Sequence, residues 1–405
     1  DATPQDLKTS VLDVVNVDIG PIAAPEAQVI QTQELLENEQ YPFEFEEFSH
    51  SSFVQGKLSS CIDFWRSINC SDFILDVIDN GYKILFENAP TSFSFKNRGS
   101  TNKHSDFVSQ SILELLDLGC MKEFSNPPEF CNPLHVAVPS SGKLRLILDL
   151  SHLNTMVVKK SFKYEDLRTV LQIFDKGTYA FTVDLKSAYH HIDICEEHVK
   201  YLSFKWSFGL GELRYFAFKV LPFGLSSAPY IFSKVMRQLL KHWRGKGYSV
   251  LFFLDDGIGG TYSLEQAYVQ SRTVRSDVIA SGFTISEEKS NWNPRLEVCF
   301  LGYILNFESG MIYVSERRMD KLKSSLANTA SANSIRIRTL ASIVGQIISM
   351  GTAVGNIVRL MTKRCYCAIG NRSFWDQVVP ISPGVREELL FWSFNVNSLN
   401  PVQLV

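Results

Sequence analysis

Apolar runs bounded by turn residues, and apolar positions recurring at helical spacing, divide most of this chain into short strands and longer helices. Ser105 precedes a helical pattern through Phe107, Val108, Ile112, Leu115 and Leu116, and Gly119 is placed to cap a helix ending near Leu118. Leu134-His-Val-Ala-Val138 and Lys143-Leu-Arg-Leu-Ile-Leu-Asp149 flank the turn Pro139-Ser-Ser-Gly142, which predicts a hairpin with Arg145 on its second strand. Tyr179-Ala-Phe-Thr-Val-Asp184 reads as a further strand leading into Leu185-Lys-Ser-Ala-Tyr189. The loop Leu221 to Pro229 opens a helix that Ser226 or Ser227 can cap, with Ile231, Val235, Leu239 and His242 on one face. Val250 to Leu254 is a strand, and Asp255-Asp-Gly257 is a tight-turn signal before Ile258. Ser263-Leu-Glu-Gln266 has the capping-box pattern for a helix through Tyr268, Val274 and Val278 that stops at Gly282. The last hundred residues lean helical and carry a basic stretch that includes Arg336, Arg338, Arg359, Lys363 and Arg364.

With 405 residues, 45% hydrophobic and 20% charged, the chain can bury a sizeable core in two or three domains. No apolar run of about 18 residues and no signal-peptide profile is present, so we expect an intracellular protein, cytoplasmic or nuclear, without a membrane partner. It opens on Asp1 rather than Met, as a fragment would. The eight cysteines are too dispersed for a zinc site or a disulfide framework, and the Cys365-x-Cys367 pair reads as ordinary packing. The net charge of −3 conceals a division, because residues 1–50 hold eleven acids against the single base Lys8. The rest of the chain has 39 basic and 32 acidic residues, an excess that can help hold phosphates. The acidic head is expected to be a disordered tail.

One aspartate at a strand end, Asp184, and two at a hairpin, Asp255 and Asp256, supply three carboxylates for one sheet edge. They would repel one another unless cations sat between them. Hard oxygen ligands suit Mg²⁺, and two such ions about 3.5–4 Å apart can activate a 3′-hydroxyl and stabilise a leaving pyrophosphate. By itself Asp-Asp-Gly is far more often a plain hairpin turn, with Asp184 a plain strand-end residue.

The order of motifs decides between these readings. Gly142-Lys-Leu-Arg-Leu-Ile-Leu-Asp-Leu-Ser-His-Leu-Asn154, Thr182-Val-Asp-Leu-Lys-Ser-Ala-Tyr189, Leu221 to Pro229, Phe253-Leu-Asp-Asp256, Gly282-Phe-Thr-Ile-Ser-Glu-Glu-Lys289 and Phe300-Leu-Gly-Tyr303 follow one another. In this series the sequence resembles reverse transcriptases across about residues 51–400, above all those of DIRS-like retrotransposons, which are similar to gypsy-like ones. The resemblance implies an RNA- and DNA-templated DNA polymerase that takes a template with its primer and dNTPs. It implies two Mg²⁺ ions, with Mn²⁺ a possible substitute, on Asp184, Asp255 and Asp256. Arg145 matches the arginine that meets the base and triphosphate, and its fork of donors fits phosphate oxygens. Ser187 and Ala188 match positions whose backbone amides meet the triphosphate, and Tyr189 matches the aromatic gate that excludes a 2′-hydroxyl. Phe223 and Gly224 match the loop beside nucleotide and template, Lys289 the lysine proposed to protonate pyrophosphate, and Phe300 to Tyr303 the primer grip. His190 and His191 read as structural or phosphate-side residues rather than metal ligands.

The implied fold is α+β, a right hand with fingers, a palm of small antiparallel sheet backed by the helices from Ser226 and Ser263, and a helical thumb and connection. We divide the chain into an acidic tail over 1–50, an N-terminal extension and fingers over 51–180, a palm with a fingers insertion over 181–305, and thumb and connection over 306–405. Three features depart from the family pattern. Phe253 stands where Tyr is usual, the fingertip lysine has no clear match except Lys143, and no second carboxylate cluster suggests a ribonuclease H. The competing readings are a domesticated binding or scaffold protein without polymerase activity and a ribonucleotide-using replicase, which Tyr189 disfavours.

Overall fold

The computed structural model describes residues 54–139, 142–209, 211–330 and 332–403. The acidic segment 1–50 lies outside the described residues. Helix α1 (Asp72–Asn80) buries Ile74, Val77 and Ile78 from one face. Helix α2 (Ser105–Asp117) buries Val108 and Ile112, and Gly119 follows with φ 70, the left-handed backbone that ends helices. Next come β1 (Met121–Phe124), β2 (Leu134–Ala137) and β3 (Arg145–Leu148). Strands β2 and β3 form the expected antiparallel hairpin with Ala137 opposite Arg145.

Strand β4 (Tyr179–Asp184) has the bounds read from its sequence. Strands β5 (Ser203–Ser207) and β6 (Leu213–Phe218) join β1 in a three-stranded sheet of order β1-β6-β5. Helix α3 (Ala228–Gly245) has Pro229 in its first turn and buries Ile231, Val235 and Leu239. Strands β7 (Val250–Phe253) and β8 (Asp256–Thr261) follow, then helix α4 (Leu264–Ala280), where Ser263 accepts a hydrogen bond from Gln266 N at 3.4 Å. With β9 (Asn291–Arg295) the palm sheet is complete, antiparallel and ordered β9-β4-β8-β7. Helix α3 packs on β7, and α4 packs on β4, β8 and β9.

Side chains alternate across a strand, and here both faces are apolar. Phe181, Val183, Val250 and Phe252 enter one core with α3 and the N-terminal helices, whereas Ala180, Leu251 and Ile258 enter a second core with the C-terminal region. The palm sheet is therefore clamped between two cores.

Strands β10 (Glu297–Phe300), β11 (Tyr303–Asn306) and β12 (Met311–Val314) form an antiparallel meander. Helices α5 (Glu316–Ala330), α6 (Ile337–Ile348), α7 (Lys363–Gly370) and α8 (Pro383–Asn395) follow. The chain after about residue 305 thus becomes helical only from Glu316, once the meander is closed. Buried Glu388 on α8 caps α7, accepting from Arg364 N at 2.8 Å and Cys365 N at 2.9 Å. Among the described residues no helix is long and apolar enough to cross a membrane.

Candidate active site

Strands β4 and β8 pair with Asp184 directly opposite Asp256. Directly opposed residues point to the same face with Cβ atoms about 4.5–5.5 Å apart, and like charges so placed destabilise a sheet. The hairpin that presents them differs from its sequence reading. Asp255-Asp-Gly257 was the expected turn, but Phe253 pairs with Asp256, so the two-residue turn is Leu254-Asp255 and Asp256 and Gly257 are already strand. Leu254 takes φ 56, because short hairpins match strand twist only with left-handed turn residues. A non-glycine residue so held stores about 1–3 kcal/mol of strain, a level characteristic of functional sites. The glycines of β8 serve packing instead. A Cβ on Gly257 would meet the Phe252 ring at 2.5 Å, and one on Gly259 would overlap the Phe181 ring.

The backbone around Asp184 is tied on several sides. Its N–H donates to Ser290 Oγ at 3.0 Å, its carbonyl accepts from Ser286 N at 2.8 Å, and the next amide, Leu185 N, donates to Asp255 O at 3.0 Å. Lys289 Nζ lies 3.2 and 3.3 Å from the two carboxylate oxygens of Asp184. Burial pushes the Asp256 carboxyl up to about 6, and the charges of Asp255 and Asp184 add to it while Lys289 opposes. Asp255 is exposed at the turn, yet the surrounding protein withdraws enough water to raise its carboxyl, with Asp184 adding to the effect. Ionised carboxylates are acceptor-only hard ligands, and a divalent cation can neutralise the charge that three of them bring to one sheet edge. Among the described residues no three His, Cys, Asp or Glu side chains already enclose a cation position. Asp184 is engaged by the Lys289 ammonium, which holds part of the counter-charge. Oxygen donors of this kind suit a hard divalent cation.

Beyond Asp184 the chain turns sharply. Ser187 has φ 52, and Ala188 to His191 form one 3₁₀ turn. Tyr189 is 8% exposed, with ring centroids 5.0 Å from Phe223 and 5.3 Å from Phe232. It lies near enough to the aspartate hairpin for the Asp255 charge to help burial raise its hydroxyl pKa. Phe223 is exposed and also meets His190 at 5.7 Å. Gly224 has φ 100, and a Cβ there would come 3.1 Å from Leu148 O, so the loop lies against the strand that bears Arg145. Arg145 is exposed on its own two-stranded sheet and forms no ion pair among the described residues. The structure thus gathers Asp184, Asp255, Asp256, Lys289 and Tyr189, with Phe223 beside Tyr189, and leaves Arg145 separate from the carboxylates.

Two supports escaped the sequence reading. Asn154 clasps the 224–226 loop from both sides, donating to Gly224 O and accepting from Ser226 N, each at 2.8 Å. With Arg98, His135, Asp149 and Ser151 it lines a cavity of about 520 Å³ in which Arg98 pairs with Asp149 at 2.7 Å. At Phe300 to Tyr303, the Tyr303 hydroxyl donates to Ser349 O, and Arg318 covers its ring at 4.7 Å while bonding Ser349 O at 2.8 Å. Asp256 also adds to the burial that raises the Cys299 thiol, which puts this hairpin beside the carboxylates.

Residues 136–305 match the family described as "Reverse transcriptase (RNA-dependent DNA polymerase)". The chain is 25% identical over 294 residues to the "Retrovirus-related Pol polyprotein from transposon opus" of Drosophila melanogaster, covering 71% of this chain and 28% of that polyprotein. It is 28% identical over 209 residues to the corresponding polyprotein from transposon gypsy of the same organism, covering 50% and 19%. It therefore spans less than a third of either relative. A foamy viral protease-reverse transcriptase solved in complex with double-stranded DNA superposes with a TM-score of 0.62 at 18% identity, over 84% of this chain and 61% of that one. At that identity the likeness is one of fold, the palm-fingers-thumb arrangement. The stretch that matches this family, residues 136–305, carries Arg145, the three aspartates, Tyr189, Gly224 and Lys289.

Proposed function

We propose that this chain copies an RNA or DNA template into DNA, adding dNTPs to a primer 3′-hydroxyl, as the polymerase of a retroelement. The observation that carries the reading is the placement of Asp184 opposite Asp256 with Asp255 in the adjoining turn. Asp184, Asp255 and Asp256 would hold two Mg²⁺ ions, or Mn²⁺ in their place. When bound, such ions lower the barrier to in-line attack by neutralising charge on the attacking and leaving oxygens. The rest falls to the chain's own residues. Arg145 reaches the triphosphate as a permanently charged fork. The amides of Ser187 and Ala188 meet the same phosphates, and Tyr189, braced by Phe223 and Phe232, closes the space beneath the sugar. Lys289, released from Asp184, delivers a proton to pyrophosphate.

The motif series from Gly142 to Tyr303 supports a DIRS-like element in particular. The same reading divides the described chain into fingers to about 180, palm to about 305, and thumb and connection beyond, with duplex held through phosphates and sugars and so irrespective of sequence. Primer extension by the purified chain on RNA and DNA templates, with dNTPs or rNTPs and with Mg²⁺ or EDTA, tests it. Mg²⁺-dependent extension with dNTPs on both templates is expected, and no incorporation on either would overturn the reading.

A further inference from the structure

We infer that His191 is a positioning residue for the incoming nucleotide, its imidazole fixing the Ser187–Ala188 peptide so that the Ala188 amide faces the triphosphate. The inference deepens the polymerase reading and rests on it. His191 is 1% exposed, and its ring lies between two backbone groups of fixed character. Nδ1 lies 3.2 Å from Ser187 O, which can only accept, and Nε2 lies 3.1 Å from Thr284 N, which can only donate. Only the neutral ring with its proton on Nδ1 satisfies both, since a protonated Nε2 would face the Thr284 N–H as a second donor. Thr284 Oγ1 lies 2.9 Å from Nε2 and itself accepts from Lys57 Nζ at 3.2 Å.

Thr284 also accepts Lys186 N on its carbonyl at 2.8 Å, so one residue anchors both sides of the turn. It holds Lys186 by backbone and Ser187 through the ring. Between them Ser187 takes φ 52, which a serine adopts only when its surroundings enforce it. The consequence follows from peptide geometry. A trans peptide is planar, so the Ser187 carbonyl and the Ala188 N–H point in opposite directions. The carbonyl is drawn inward by two donors, His191 Nδ1 and His190 N, the latter at 2.9 Å. The Ala188 N–H is thereby turned to the other side of the peptide and held there before any nucleotide arrives.

The test compares wild type, His191→Leu and His191→Asn in steady-state incorporation. Leu removes both hydrogen bonds at similar volume, while the Asn amide nitrogen stands near the place of Nδ1 and can still donate to Ser187 O. His191→Leu should raise the KM for dNTP about tenfold, the loss of roughly one good hydrogen bond, with kcat and template-primer affinity little changed. His191→Asn should recover most of that loss, which a merely structural role would not produce. A folded His191→Leu variant with wild-type KM would overturn the inference, as would equal defects in both variants. The ¹⁵N shifts of His191 in the wild-type chain at neutral pH decide it without any variant: a protonated Nδ1 with bare Nε2 supports it, and an Nε2–H or an imidazolium overturns it. Failure of wild-type extension would instead count against the polymerase reading, and the tautomer result stands apart from that.

Discussion

Lys289 Nζ bonds both carboxylate oxygens of Asp184, at 3.2 and 3.3 Å, although the lysine side chain is 68% exposed. An ion pair with one partner so open to water is worth about 0–1 kcal/mol, so it can hold the counter-charge and still be surrendered. Replacing Lys289 by Met should tighten Mn²⁺ binding at the aspartates about two- to fivefold, the equivalent of that pair. It should also slow incorporation about a hundredfold if the ammonium delivers a proton to pyrophosphate. Mn²⁺ titration followed by paramagnetic resonance, with single-turnover kinetics, checks both, and unchanged Mn²⁺ affinity would show that the pair does not compete for the site.

Truncation of Tyr189 separates its packing from the gate role proposed for it. Its buried ring packs between Phe223 and Phe232, so Tyr189→Val should cost about 2–4 kcal/mol of stability. If the ring also lies under the sugar, the ratio of kcat/KM for dNTP over rNTP should fall sharply in the variant that remains folded. An unchanged ratio would make Tyr189 a core residue only.

Gly259 should tolerate no side chain, because the Phe181 ring occupies the position of its Cβ. Gly259→Ala is expected to destabilise by about 1–3 kcal/mol through overpacking, as read from urea denaturation. A neutral result would mean that Phe181 can move aside.

Burial pushes the His190 imidazole down to about 4, from about 6.5 in an unfolded chain. The folded protein keeps the ring neutral, so the unfolded chain takes up the proton first as pH falls. The stability this group contributes is complete above about pH 6.5 and is lost as pH falls towards about 4. Asp256 and Asp193, each raised to about 6, have the opposite sign, so the comparison must be between variants. Across that window His190→Phe should flatten the dependence of stability on pH by up to about 1.4 kcal/mol per pH unit. Parallel pH profiles for the two proteins would contradict this.

Much of the frame was legible because it depends on local pattern. The strand Tyr179–Asp184, the hairpin bearing Arg145 and the Ser263 cap follow from apolar runs, turn residues and capping chemistry that neighbours in the chain supply. The aspartate hairpin differs by one position from its sequence pattern because Asp-Gly is a strong turn signal, whereas here the cross-strand register puts the left-handed backbone on Leu254 and Gly257 under a ring. The C-terminal meander was missed between two helical patterns, and its partner strand Val402–Gln403 comes from the far end of the chain. Nothing local announces that His191 reaches Thr284, Asn154 reaches Gly224 or Arg318 covers Tyr303. Each of these contacts is made by folding distant segments together, so single-sequence patterns carry no trace of it.

The most direct measurement of the central claim is single-turnover incorporation of one dNTP on an RNA template in Mg²⁺, by wild type and by Asp255→Asn and Asp256→Asn. The account predicts incorporation by wild type, abolition by EDTA, and loss of at least about a thousandfold in each variant while duplex affinity changes by less than about tenfold. Near-wild-type incorporation by either variant would contradict the assignment of these carboxylates as the metal-holding centre.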